Sequence, residues 1–380
     1  MPVWWGIFAY MMIVSIFGMA MYKNKVQNAT VGPVDDSSSV VNYKSIGLFF
    51  ALATFALLVY FVGQRSYIFD SSDYQYAYDN YYSDDLNQIY SIFRGEKHSK
   101  GPLFSIILIL FKHFTHGTYN DWFTFIALIQ CVSLALFLYK YSINFTYSVY
   151  FFFTTSAFLW LVNGIRQFLA VTIVLFFVDW IKERKTIPFI LVIITAYFIH
   201  SSALFWLPVY FIINYEPWSR KFIVLSVILA IALYLYSKSS FIEDTDYAYL
   251  GHNNNQDGVN PIRVLVMAVP SIIAFTQRKN TKEINDPFVN VWINLSVITT
   301  ECYIVGMFTT GVMGRMPGYF QMFNLLLLPW LLKRAFDESM GKTILLLSLI
   351  GYLSYFWYDM YIAGNGIYNS IPLDLHDWTV

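Results

Sequence analysis

Long apolar runs separated by short polar gaps make up most of this chain. The runs are apolar throughout rather than alternating, and they fall at about 3–22, 46–63, 102–117, 120–140, 145–162, 167–181, 187–213, 221–237, 262–276, 288–308, 316–332 and 343–361. A helix needs roughly 20 such residues to cross about 30 Å of hydrocarbon, where only helices or closed barrels satisfy every backbone group. Uniform apolarity selects helices. The pattern predicts an all-α, polytopic transmembrane helical bundle of about 11–13 membrane segments. It forms one membrane domain over residues 1–380, with polar loops at 64–101 and 238–261 and no sequence repeat of fixed period.

Two runs do not fit a single crossing. At 27 residues, 187–213 is long, and its centre carries His200, Ser201 and Ser202. It predicts two half-length helices turning there, entering and leaving on the inner side. The short run 102–117, bracketed by Lys100, Lys112 and His113, predicts a re-entrant or interfacial segment. Read as a full span instead, it would place the N-terminus inside. Met1 to Ala20 lacks a basic start and is too apolar for a leader peptide, so a mature span is expected. Short loops rich in Lys and Arg favour the cytoplasm. Lys182, Arg184 and Lys185; Arg278, Lys279 and Lys282; and Lys333, Arg334 and Lys342 therefore face inward, and Lys23, Lys25 and Lys44 join them. Both termini, the 64–101 and 238–261 loops, Arg166 and Arg315 are then expected on the outer face.

Composition narrows the class. Charged residues are 13% and hydrophobic ones 57%, against about 25% charged in a soluble domain, which excludes one of ordinary size. Lys+Arg and Asp+Glu are both 24, so no basic excess exists to hold nucleic acid. Cys131 and Cys302 lie inside apolar runs and form no disulfide framework. Walker A, HExxH, CxxC and GxSxG patterns are missing, which disfavours a nucleotide-driven pump or a zinc protease. Asp73, Asp79, Asp84 and Asp85 lack the spacing of a calcium loop, so neither a metal nor a cofactor is expected.

Ionisable groups in membrane segments are costly and mark functional positions. Arg166, in Asn163-Gly164-Ile165-Arg166-Gln167, suits bidentate phosphate binding or snorkelling to headgroups. Arg315 follows Gly311-Val312-Met313-Gly314, a flexible stretch beside one cation, and two such arginines suit a diphosphate. His200 is read as a general base or donor, or as a structural histidine bonded to a neighbouring helix. Glu301, deep in 288–308, pairs with an arginine or accepts a proton, whereas Asp359 near a span end is expected to be solvated. Ser72-Asp73-Tyr74-Gln75-Tyr76-Ala77-Tyr78-Asp79-Asn80-Tyr81-Tyr82 mixes rings and carboxylates, as sugar recognition does; an interfacial aromatic belt is the alternative. The 238–261 loop, with Tyr247, has the same character.

Ser72-Asp73-Tyr74 with Tyr78, Glu96, Gly164-Ile165-Arg166-Gln167-Phe168-Leu169-Ala170, Phe198-Ile199-His200-Ser201-Ser202-Ala203, and Arg315 with Tyr319 before Leu328-Pro329 occur in that order from about 45 to 335. This arrangement resembles the EpsG family of Wzy-like polysaccharide polymerases, encoded in bacterial capsule, exopolysaccharide and O-antigen clusters. Around Glu96 it departs from the family pattern, because Lys97-His98-Ser99-Lys100 follows in place of a glycine and an aromatic residue. The resemblance implies a glycosyltransferase of the bacterial inner membrane that needs no nucleotide sugar. Its substrate would be an undecaprenyl-diphosphate-linked oligosaccharide, with a flippase and a chain-length regulator as partners. Arg166 and Arg315 would hold the diphosphate, and His200, Glu301 or Asp73 would supply the base. Tyr74, Tyr78, Glu96, Gln167, Ser201, Tyr247 and Tyr319 would line the glycan. An O-antigen ligase, a lipid-linked glycan flippase or exporter, and a membrane O-acyltransferase are the competing readings.

Overall fold

A computed structural model of the chain describes residues 2–31, 37–65, 70–96, 99, 101–238, 258–309 and 313–363. Among the described residues there is no strand, and six helices are long and apolar enough to cross a membrane. The protein is an all-α polytopic membrane protein, and its helices gather into two compact units, residues 1–176 with 360–380, and residues 177–359.

The first unit contains α1 (Pro2–Val31), α2 (Ser37–Gly63), α3 (Ser71–Tyr76), α4 (Asn87–Phe93), α5 (Pro102–Thr115), α6 (Tyr119–Tyr141), α7 (Phe145–Thr154) and α8 (Ile165–Phe176). Helix α2 packs between α1 and α6, and α6 also packs on α8. The α2–α6 approach is close, because a Cβ on Gly63 would collide with Thr124. Lipid offers no hydrogen bonds, so buried polar groups on α6 find partners within the protein. Gln130 Nε2 donates to the Ile165 carbonyl at 3.0 Å and Ser133 Oγ to that of Thr172 at 2.7 Å. Both bonds run to α8 and fix its position along α6.

The second unit contains α9 (Val178–Lys182), α10 (Thr186–Tyr197), α11 (Trp206–Ile212), α12 (Arg220–Ser237), α13 (Pro261–Thr276), α14 (Arg278–Ile284), α15 (Pro287–Met307), α16 (Asn324–Arg334) and α17 (Glu338–Tyr358). Helix α15 packs against α12, α13 and α16, and 72% of its apolar window is buried, against 22% for α12 and for α17. Ile223, Val224, Val227, Ile228, Ile231 and Leu235 of α12 are exposed, as are Leu346, Leu347 and Ile350 of α17. Such faces would be an aggregation liability in water and are the natural surface against lipid tails.

The expected break in 187–213 is present. Helix α10 stops at Tyr197, His200 is extended, and a 3-10 turn, Ser201–Phe205, leads into α11. The expected short segment over 102–117 is α5, only 14 residues long. Two other runs are less regular than their apolarity suggests. The run 145–162 stops being an α-helix at Thr154, where Thr155 Oγ1 bonds back to the Phe151 carbonyl and Ser156 turns left-handed at φ 58°. A 3-10 turn, Ala157–Leu161, follows, with Phe158 stacked on Phe153 at 4.3 Å. The run 316–332 begins as 3-10 turns, Met313–Tyr319 and Gln321–Phe323, because Pro317 withholds a backbone donor and two glycines weaken the helix. Apolarity reports burial but not the hydroxyl, proline and glycine chemistry that interrupts a helix.

Candidate functional site

In the first unit the tyrosine-rich 72–82 motif meets the arginine block. Gly164, at φ 81°, takes a left-handed turn that side chains disfavour, and its amide donates to Asp70 Oδ2 at 3.1 Å. Two residues later Arg166, half-buried at the start of α8, donates from Nε to the Tyr74 hydroxyl at 3.2 Å and stands 6.0 Å from that ring's centre. Tyr74 is packed in turn against Phe104 of α5, their ring centres 6.0 Å apart. Thus α3 is tied to the start of α8 at two points, one a carboxylate and one a phenol. Gln167 is buried beside this turn.

A second cation supports the same place from below. Arg65, just past α2, is 1% exposed; its Nε donates to Ser71 Oγ at 2.9 Å, Nη1 to the Val62 carbonyl at 2.5 Å, and its guanidinium lies 4.3 Å from the Phe123 ring centre. Burial lowers its pKa to about 10, against the raising effect of Asp70 and Tyr74, so the group stays cationic at neutral pH. Tyr78 is buried, donates to the Gly117 carbonyl at 2.6 Å and lies under Lys112 Nζ at 4.3 Å. Burial first, then Asp121 and Asp79, push its phenol up to about 12. Asp73 is exposed on α3, and Glu96 is exposed with Arg94 at 3.7 Å as its ion-pair partner. Neither is drawn to Arg166 by the bonds that organise this turn.

In the second unit the histidine block meets the segment that follows Arg315. His200 is 6% exposed, and its Nδ1 shares a 2.7 Å hydrogen bond with Ser202 Oγ, which is 3.0 Å from the Tyr319 hydroxyl. The break after α10 creates this chain, since a continuous helix would keep His200 and Ser202 about 200° apart around its axis. Aromatic packing holds the two irregular segments together: Phe320 sits edge-on to Trp206 at 4.7 Å and tilted on Phe205 at 5.7 Å. Arg315 is half-buried on the Met313–Tyr319 turn, beside Gly314, where a Cβ would strike Val259. A Cβ on Gly306 of α15 would lie 2.9 Å from the Gly314 amide, so the turn rests on α15 through two residues without side chains. Ser201 is exposed. Tyr247, with most of the 238–261 loop, lies outside the described residues.

The expectation for Glu301 is narrowed and that for Asp359 is corrected. Glu301 is half-buried, and among the described contacts its Oε1 accepts from Ser226 Oγ of α12 at 2.9 Å rather than from an arginine. It leaves α15 about 200° round from Tyr303, whose hydroxyl donates to Gln321 Oε1 at 2.6 Å on the side of the 3-10 turns. Asp359, expected in solvent, is 2% exposed and is the more deeply buried carboxylate. Arg263, early in α13, donates from Nη2 to Asp359 Oδ1 at 2.7 Å and from Nε to the Tyr355 hydroxyl at 3.1 Å. An ion buried in an apolar unit needs such a partner, and the two residues are 96 positions apart, so no local pattern announces the pair. Arg65, Asp70 and Arg263 are the positions that sequence reasoning passed over, and Ser202 stood in its motif without a role. The one signal for Asp70 was adjacency to the Ser72-Asp73-Tyr74 motif.

These sites lack a cluster of three or more His, Cys, Asp or Glu able to hold a metal ion among the described residues. What they offer is two polar, partly buried arginine and histidine stations in apolar surroundings, suited to holding an anion and moving a proton. Comparison with curated proteins and with solved structures finds no significant match. A family model described as the EpsG family matches residues 48–372 and so spans both stations. By that match the chain belongs to the EpsG family, whose members are Wzy-like polysaccharide polymerases.

Proposed function

We propose that this polymerase joins oligosaccharide repeat units carried on undecaprenyl diphosphate, at the outer face of the bacterial cytoplasmic membrane. A sugar hydroxyl of one lipid-linked unit attacks the anomeric carbon of the glycan on a second carrier. The new glycosidic bond forms as the carbon–oxygen bond to diphosphate breaks, the hydroxyl proton passes to a base, and the lipid diphosphate leaves. Arg166 and Arg315 each suit a lipid diphosphate, and a guanidinium stabilises the charge of a leaving diphosphate most where water is excluded. His200 is the base in this reading, because Ser202 orients its ring, while Glu301 is engaged with Ser226 and Asp73 is exposed.

The observation that carries the reading is Arg166. A half-buried guanidinium at a helix start, fixed by Tyr74 and by the Asp70–Gly164 tie, is a pre-positioned anion site. The test is reconstitution in liposomes with a lipid-linked repeat unit and no nucleotide, products resolved by gel. A ladder of multiples that disappears in Arg166→Ala protein of normal membrane abundance supports the role. A normal ladder from that variant overturns it, and intact substrate with folded wild-type protein shifts the reading to transport.

A further inference from the structure

The arginine station of the first unit stands at one end of a short helix whose other end opens on a polar groove. Helix α3 continues without interruption into a π turn, Ala77–Tyr81, closed by the Tyr82 amide on the Ala77 carbonyl at 3.1 Å. The wider turn sends Tyr78 inward to Gly117 and leaves Asp79, Asn80 and Tyr81 exposed. These three, with Asp84, Gln88, Lys112 and His116, line a groove of about 420 Å³. That volume lies in the range of about 300–1,000 Å³ typical of small-ligand sites, but the lining is polar where such sites are mostly apolar.

The groove is held open by hydrogen bonds of its own lining residues Lys112, Tyr82 and Asp84. Lys112 Nζ donates to the Tyr78 and Tyr82 carbonyls, each at 2.7 Å, and so ties down the end of the π turn. The Tyr82 hydroxyl shares a 2.7 Å bond with Ser105, and the His113 ring bonds the Asp84 carbonyl at 2.9 Å. Carboxylates, an amide and an imidazole can hydrogen-bond several hydroxyls at once, and the Tyr81 ring, edge-on to Tyr82 at 4.9 Å, offers a flat face for stacking. That combination suits a hydroxyl-rich, uncharged ring.

We propose that this groove is a subsite for the oligosaccharide part of the lipid-linked substrate, separate from the site for its diphosphate. The inference rests on the polymerase reading. Tyr74, bonded to Arg166, and Asp79 are five residues apart on one helix, about 7 Å along its axis. A glycan whose diphosphate lies at Arg166 reaches the groove within its first few sugars, and the helix fixes the spacing between the two.

The test uses full-length protein in detergent and the repeat-unit oligosaccharide released from its carrier, so that the probe has no diphosphate. Asp79→Asn, Asp84→Asn and Tyr81→Ala each weaken its binding about tenfold and raise KM for the lipid-linked unit with kcat nearly unchanged. Arg166→Ala binds the free oligosaccharide as wild type does but forms no polymer. If polymer forms and the three groove variants bind and polymerise normally, the subsite is wrong and the polymerase reading stands. If no protein polymerises yet the groove variants still lose oligosaccharide binding, the polymerase reading is wrong and the sugar site stands.

Discussion

The two stations are built by different forces. In the first unit Arg166 is positioned by hydrogen bonds: Asp70 holds the Gly164 amide, Tyr74 holds the guanidinium, and both come from a short helix outside the long spans. In the second unit the turn that carries Arg315 and Tyr319 is positioned by fit. Phe320 wedges against Trp206 and Phe205, and Gly306 and Gly314 allow backbone to lie against backbone. Hydrogen-bond positioning depends on donor and acceptor identity and tolerates little chemical change. Positioning by fit depends on volume and tolerates loss of a hydroxyl better than gain of a methyl. The first station should therefore respond to isosteric polar substitutions, and the second to changes of size.

Arg166→Lys gives the largest expected effect. It keeps the charge and loses the planar fork, and polymer formation in liposomes should fall about 100-fold while expression and thermal stability in detergent stay near wild type. Activity within a few fold of wild type would mean that a point charge suffices there. Next comes Gly314→Ala, which should cost about 1–3 kcal/mol by driving a methyl into Val259, read as a lower melting temperature in detergent. Adding Val259→Ala should recover much of that loss, and no recovery would show that the strain lies elsewhere.

A subtler pair separates charge from hydrogen bonding at Asp70. Asp70→Asn keeps an acceptor for the Gly164 amide and should lose a few fold in activity. Asp70→Ala, which removes the acceptor, should lose about tenfold, in line with roughly 1–1.5 kcal/mol for the bond. Equal losses would place the effect in the carboxylate's charge beside Arg65. Tyr319→Phe should be the mildest: the ring stays packed, the Ser202 bond goes, and both melting temperature and polymer yield change little. A loss of 100-fold or more there would move Tyr319 from support into the chemistry.

Much of this architecture was legible as pattern, because lipid leaves so few alternatives. Apolar run length marked α2, α6, α12, α15 and α17, and the polar centre of 187–213 marked the break at His200. The run 145–162 was misread, since a hydroxyl bonding back to its own helix at Thr155 leaves no trace in hydropathy. At the candidate sites the residue types were legible and their company was not. Arg166 and Tyr74 stood out separately, yet the tie through Asp70 links positions 94 residues apart. Asp359 was misplaced because its partner Arg263 lies on another helix.

The amino-acid sequence by itself determined that this is an all-α membrane protein, roughly where its helices lie and that it is a member of the EpsG family. Those properties depend on composition and local order, which solvation in lipid converts directly into helices. Only the tertiary structure decided that Arg166 rests on Tyr74, that His200 is joined to Tyr319 through Ser202, that Glu301 bonds Ser226, and that Arg263 and Asp359 neutralise each other. Each of these is a contact between elements distant in the chain, and it exists because a buried polar group must be satisfied by whatever packing brings within about 3 Å.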